Sequence, residues 1–212
     1  IKSIQRLIVT SSVYRQTSEH REQASRKDAS NQFLWRMNRR RLEAEEIRDA
    51  ILATSGRLDN RMYGAGYYLF VLEKMEHSPH YEYYKHDPED PASHRRTIYR
   101  FIVRSQPDPF MTTLDCADSS QSTPTRNETL TSLQALSLLN HRFNLSMAQH
   151  FAIRLEREAG DLEGQVTAGF RLVTGRNPTA SEHSQLVTYA REHGLANACR
   201  LLLNLSEFIF LD

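Results

Sequence analysis

The chain has 212 residues, 39% hydrophobic and 25% charged, enough apolar matter for a core, and its eight glycines and seven prolines are too few for a fibrous or disordered chain. Its 27 basic and 26 acidic residues leave a formal net charge of +1, which supplies no global attraction for nucleic acid or anionic lipid. Cys116 and Cys199 are too few for a disulfide framework, and no run reaches the roughly 20 apolar residues of a bilayer span.

Ile1, Ile4, Leu7 and Ile8 recur at helical spacing, so a first amphipathic helix ending near Tyr14 is expected, with a polar connector or a second helix over 16–27. A second apolar face, Leu42, Ala44, Ile47, Ala50 and Ile51, predicts a helix over 40–55 that closes on Gly56. The runs YYLFVL (67–72) and TIYRFIVR (97–104) are rich in aromatic and β-branched residues and are expected to pair as an antiparallel ribbon. Between them Pro79, Pro88 and Pro91 mark 74–96 as an exposed excursion, and turn-forming residues make 107–130 a long irregular loop.

Thr131 and Gln134 have the spacing of a capping box, in which a hydroxyl and an amide side chain each satisfy the other residue's backbone N–H. Phe143, Met147, Phe151 and Leu155 repeat every four residues until Gly160, and Leu162, Val166, Phe170 and Val173 continue to Gly175. A second capping box, Thr179 with Glu182, launches a helix over 180–193, and Gly194 separates it from a last one at 195–205. The predicted class is therefore mainly α: a helical bundle with a small antiparallel β-ribbon and long irregular loops, one domain over 1–212.

His77, His80, His86 and His94 share the excursion, but they lack the spacing of a helical metal motif and no cysteine pair supports them, so they read as solvated loop histidines and no metal is expected. No G-x-S-x-G elbow and no glycine-rich phosphate loop occurs, which leaves hydrolytic triads and nucleotide chemistry unsupported. The basic run Arg36, Arg39, Arg40 and Arg41 is answered at once by Glu43, Glu45 and Glu46. Pairs one helical turn apart, Arg39 with Glu43 and Arg41 with Glu45, explain it better than a nucleic-acid partner does.

Two longer stretches, LWRMNRRRLEAEEIRDAILATSGRLD (34–59) and RRTIYRFIVRSQPDPFMTTLDCADSSQSTPTRNETLTSLQALSLLN (95–140), join with LIVTSSVYRQTS and LVTGRNPTASE…LLLNLSEFIFLD in one order. In these the chain resembles the planctomycete-type C-terminal domain of unknown function found in exported proteins that carry cytochrome-c-like domains. The matching motif residues include Arg41, Glu45, Arg48, Asp49, Tyr99, Thr131, Asn140 and Glu207. Relatives often have Cys, Arg and Pro where this chain has Ser122, Thr125 and Ser132.

The resemblance implies a C-terminal helical module of a larger extracytoplasmic polypeptide, periplasmic or secreted, docked against neighbouring domains. Haem c would belong to the parent, because C-x-x-C-H is missing here and no cofactor is expected in this segment. A competing expectation is that the 107–129 loop, with Tyr99 and Glu45, serves an enzyme acting on a carbohydrate or other polymer. For either reading the candidate ligand-binding residues are Asp115, Arg126, Thr129 and Gln134, with Arg126 clamping a small-molecule or glycan carboxylate or pairing with Asp115.

Overall fold

The computed structural model describes residues 1–74 and 78–211, and its chain divides into two compact units, 1–41 with 209–212, and 42–208. The predicted His77 lies outside the described residues. The architecture is mainly α, with ten α-helices and two two-stranded antiparallel ribbons among the described residues. None of those helices is long and apolar enough to cross a membrane.

In the first unit, α1 (Lys2–Thr10) has no buried residue, and Ile4, Leu7 and Ile8 are 63%, 72% and 53% exposed, so its apolar stripe is left bare within its own unit. After α2 (Glu22–Lys27) the chain folds around Trp35, whose indole N–H donates to the Asp28 carbonyl at 2.8 Å. The Asp28 carboxylate takes the amides of Gln32 and Phe33, and these bonds hold it below the usual carboxylate pKa. Strand β1 (Arg40–Arg41) pairs antiparallel with β4 (Phe210–Leu211).

That pairing corrects the expected helix over 40–55. Helix α3 (Ala44–Thr54) starts four residues later, at a reciprocal cap in which the Glu43 amide donates to the Glu46 carboxylate at 2.8 Å. Arg40 and Arg41 are extended, so the spacing of Arg39 to Glu43 and of Arg41 to Glu45 is not a helical turn.

In the second unit the ribbon also differs from expectation. Strand β2 (Val71–Lys74) pairs with β3 (Pro79–Glu82), inside the segment expected to be an excursion. The run beginning at Thr97 is instead a 3-10 turn, Thr97–Tyr99, because the Asp49 carboxylate of α3 accepts from the Thr97 amide at 2.7 Å and from its hydroxyl at 2.6 Å. The stretch after it touches Tyr67 only through an isolated parallel bridge, Tyr67 with Arg100. Nor is 74–96 exposed throughout: Ser93, His94 and Arg95 are buried, and the His94 ring bonds the Pro88 carbonyl at 2.9 Å. His94 is thus not a solvated loop histidine.

The 107–130 loop contains one short helix, α4 (Pro109–Thr113), capped by Asp108. Then come α5 (Ser132–Asn140), α6 (Arg142–Glu158), α7 (Leu162–Thr174), α8 (Ala180–His193), α9 (Leu195–Leu202) and α10 (Ser206–Ile209). Both predicted capping boxes form, Thr131 with Gln134 and Thr179 with Glu182, and Gly175 ends α7 in the left-handed conformation at φ 74°.

Helices α6, α7 and α9 bury Met147, Phe151, Leu155, Phe170 and Leu202 together. Gly169 lets them close: a Cβ there would stand 2.8 Å from Leu155 Cδ1 and 3.3 Å from Leu202 Cδ1. Helix α3 lays Ile47, Ile51 and Leu52 inside the same unit against α6.

Candidate functional site

Three of the four residues predicted to form a ligand site meet, and they satisfy one another. Asp115 sits at φ 62°, a left-handed position that a short polar side chain tolerates. Its carboxylate accepts from the Thr129 amide at 2.8 Å, the Thr129 hydroxyl at 2.9 Å and the Gln134 side-chain amide at 3.0 Å. Gln134, also half of the α5 capping box, accepts from the Thr131 amide at 3.2 Å. The group pins the end of the irregular loop to the start of a helix.

Arg126 does not join them. Its guanidinium faces Glu45 at 3.3 Å and Glu43 at 3.7 Å, at the entrance to α3. The expected pairing with Asp115 is therefore corrected: two carboxylates clustered at a helix N-terminus attract the arginine more strongly than an aspartate already saturated with three donors. Glu45 also accepts from the Cys116 thiol at 3.4 Å, and burial, helped by Glu45, pushes that thiol up to about 11.

The remaining motif residues are braces. Arg48, 1% exposed, gives Nη1 to the Tyr67 hydroxyl at 2.9 Å and to Thr97 Oγ1 and the Arg95 carbonyl at 3.3 Å, and Nη2 to the Ser93 carbonyl at 2.6 Å. Asp49 holds Thr97, and the Tyr99 hydroxyl accepts from the Tyr63 amide at 2.8 Å. Arg176 bridges Glu182 and Glu207 at 2.7 Å each, which ties α8 to α10, and Arg41 is buried in β1. Asn140 accepts from Arg200 at 2.7 Å, linking α5 to α9.

A concavity lies beside the loop expected to carry the site. A cleft of about 390 Å³ opens between the segment after β3, the start of α4 and the α5–α6 junction. Its rings are Tyr83, Tyr84, Phe110, His141 and Phe143, and its polar groups include His86, Asp108 and Asn140. Phe110 and His141 stack at 4.1 Å between ring centres, nearly parallel, and Tyr84 stands 66% exposed at the lip. Arg48 closes the floor with its donors already engaged.

The imidazoles of this cleft are pushed toward their neutral form. His141 faces the opening, yet crowding by Phe110 and its neighbours, helped by the charge of Arg142, pushes its imidazole down to about 4. Burial also lowers His86, whose Nε2 is buried with no hydrogen-bond partner among the described residues. The Tyr83 phenol is pushed up to about 12 by burial first and then by Asp108.

Asp108 is the one carboxylate among the described lining residues. Its Oδ1 caps α4 through the Phe110 amide at 2.9 Å, its Oδ2 lies 3.8 Å from Arg100, and burial holds its pKa above the usual value. Two facing carboxylates, as glycoside hydrolysis requires, do not meet here. No group of three or more potential metal ligands occurs among the described residues.

Sequence reasoning selected Asn140, took His86 for a solvated loop histidine although its Nε2 is buried, and did not select Tyr83, Asp108 or His141. The signal lay in YEYYKHDP (81–88) and NHRF (140–143), two dense runs of aromatic and imidazole side chains at element ends. No curated protein and no solved structure matches the chain. A family model described as PSD1, a protein of unknown function (DUF1553), matches residues 1–190.

Proposed function

We propose, for a chain that belongs to the PSD1 family of proteins of unknown function (DUF1553), that it is a non-catalytic binding module whose α4–α6 cleft holds a neutral, ring-shaped, hydroxyl-bearing molecule of the sugar class. One observation carries this reading: a cleft walled by Tyr83, Tyr84, Phe110 and Phe143 that presents the unpartnered His86 Nε2. A charged ligand would lose its hydration there for little return, since Arg48 and Asp108 are engaged and the Arg142 guanidinium at the rim already donates to the Tyr84 carbonyl. A hydroxyl ring can stack on Tyr84 while its oxygens meet His86 and Asn140.

The test is NMR titration of the intact chain with neutral monosaccharides and with their uronic acid and amino-sugar counterparts. Neutral sugars shift the His86 and His141 ring resonances, and Tyr84→Ala weakens them by about five- to tenfold, the worth of one aromatic contact. Affinity falls on acidification as His86 and His141, both held below the usual imidazole range, gain their protons, the latter near 4. Silence from every neutral sugar, or tighter binding of a charged one, overturns the reading.

The uncovered apolar stripe of α1 favours a second role: the module docks through Ile4, Leu7 and Ile8 on a neighbouring domain of one extracytoplasmic polypeptide, where any haem c resides. A photo-crosslinking group at Leu7 of the full-length polypeptide is expected to capture that domain. Recovery of uncrosslinked chain alone counts against docking.

A further inference from the structure

A second cavity, of about 380 Å³, lies on the other side of Asp108 and contains an arginine with unspent donors. The Arg100 side chain is only 6% exposed, and its Nε is buried without a partner. Nη1 faces Asp108 Oδ2 at 3.8 Å, and Nη2 donates only to the Cys116 sulfur at 3.6 Å, a weak acceptor. The Nε–Nη2 edge, the side-on fork that fits a carboxylate with two parallel hydrogen bonds, thus meets no oxygen among the described residues.

The two carboxylates of the wall leave that edge open, since Asp108 Oδ2 faces only Nη1. Asp108 Oδ1 holds the Phe110 amide, and Asp118 holds the Ser120 amide at 2.8 Å. The rest of the wall is mixed: Ile102, Val103 and Met111 are apolar, and Arg104, whose Nη2 bonds the Ser120 carbonyl at 3.4 Å, adds a second cation. Buried donors are normally satisfied, so an edge left open inside a cavity of this size points to an acceptor brought from outside.

We propose that this cavity is a binding site for the carboxylate of a small aliphatic acid, gripped side-on by Arg100, steered by Arg104 and covered along its chain by Ile102, Val103 and Met111. The site is distinct from the aromatic cleft and does not rest on the sugar reading. An inorganic anion would use the guanidinium but leave the apolar wall unfilled, so an organic acid is the better match.

Butyrate is the probe, with chloride and inorganic phosphate at equal ionic strength as comparisons, followed by thermal unfolding and by the NMR signal of the Arg100 Nε–H. Butyrate is expected to shift that signal and raise the melting temperature more than either inorganic ion, and Arg100→Gln weakens it by about tenfold or more. Should Arg100→Gln unfold, Ala117→Phe fills the cavity and leaves the arginine in place. It should abolish butyrate binding, while Tyr84→Ala leaves it intact. An Nε–H signal indifferent to butyrate, equal effects of phosphate or chloride, or undiminished binding to Ala117→Phe each overturn the proposal.

Discussion

Replacing Arg48 with methionine lowers the unfolding free energy by about 3–5 kcal/mol, although the two side chains are similar in length. The guanidinium is 1% exposed and packs with its centre 5.3 Å from the Tyr67 ring and 5.0 Å from that of Phe143. Burial depresses its pKa, while Tyr67, Asp49 and Asp108 oppose that shift. Methionine restores the volume but leaves the Ser93 and Arg95 carbonyls without donors, and Asp49 and Asp108 lose a neighbouring cation. Each stranded buried acceptor costs about 1–3 kcal/mol, so the penalty comes mostly from what remains behind. Denaturant titration should show the midpoint falling at unchanged slope. A loss below about 1 kcal/mol would mean that water takes over the arginine's bonds and that the brace is dispensable.

Phe151→Ala has a comparable effect by a different route, about 3–5 kcal/mol, through a cavity at the centre of the bundle. Phe151 is fully buried on α6, and its ring reaches toward Gly169 on α7, where the helices are already in close contact. The surrounding side chains cannot collapse into the hole, because α6, α7 and α9 hold one another apart. Phe151→Leu should cost much less, about 1–2 kcal/mol, since most of the volume is kept. Equal losses for the two variants, measured by chemical unfolding, would show that the interior relaxes and that close packing there is not limiting. Against a total stability of about 5–15 kcal/mol, either Arg48→Met or Phe151→Ala removes a large fraction.

The helices from α5 onward were legible because their signals are local. A capping box needs only residues three apart, and Thr131 with Gln134 and Thr179 with Glu182 both close as their spacing demands. The run at 97–104 misled for the opposite reason. Its β-branched and aromatic residues favour extended structure, but bonds from Asp49, which lies about one element away in space and far away in sequence, turn Thr97–Tyr99 into a 3-10 helix. Strand pairing then falls to Val71–Lys74 and Pro79–Glu82, which lie close together in sequence.

Of the residues expected to form a site, Asp115, Thr129 and Gln134 meet, and their hydrogen bonds are mutual. Arg126 faces Glu45 rather than Asp115, and nothing in a linear sequence ranks the one above the other as its partner. The aromatic cleft draws its walls from Leu69, Tyr83, Asp108 and His141, positions separated by intervening elements, so no single window of sequence contains it.

What the sequence alone determined is the helical register, the caps and the identity of the apolar faces, since these depend on contacts within one or two turns of chain. Only the tertiary structure decided where Arg48, Arg100 and Arg126 find their partners, and which aromatic rings face a common opening. Those outcomes depend on long-range geometry: a buried charge takes whichever acceptor the packed elements bring within about 3 Å, at a sequence distance that pattern does not encode.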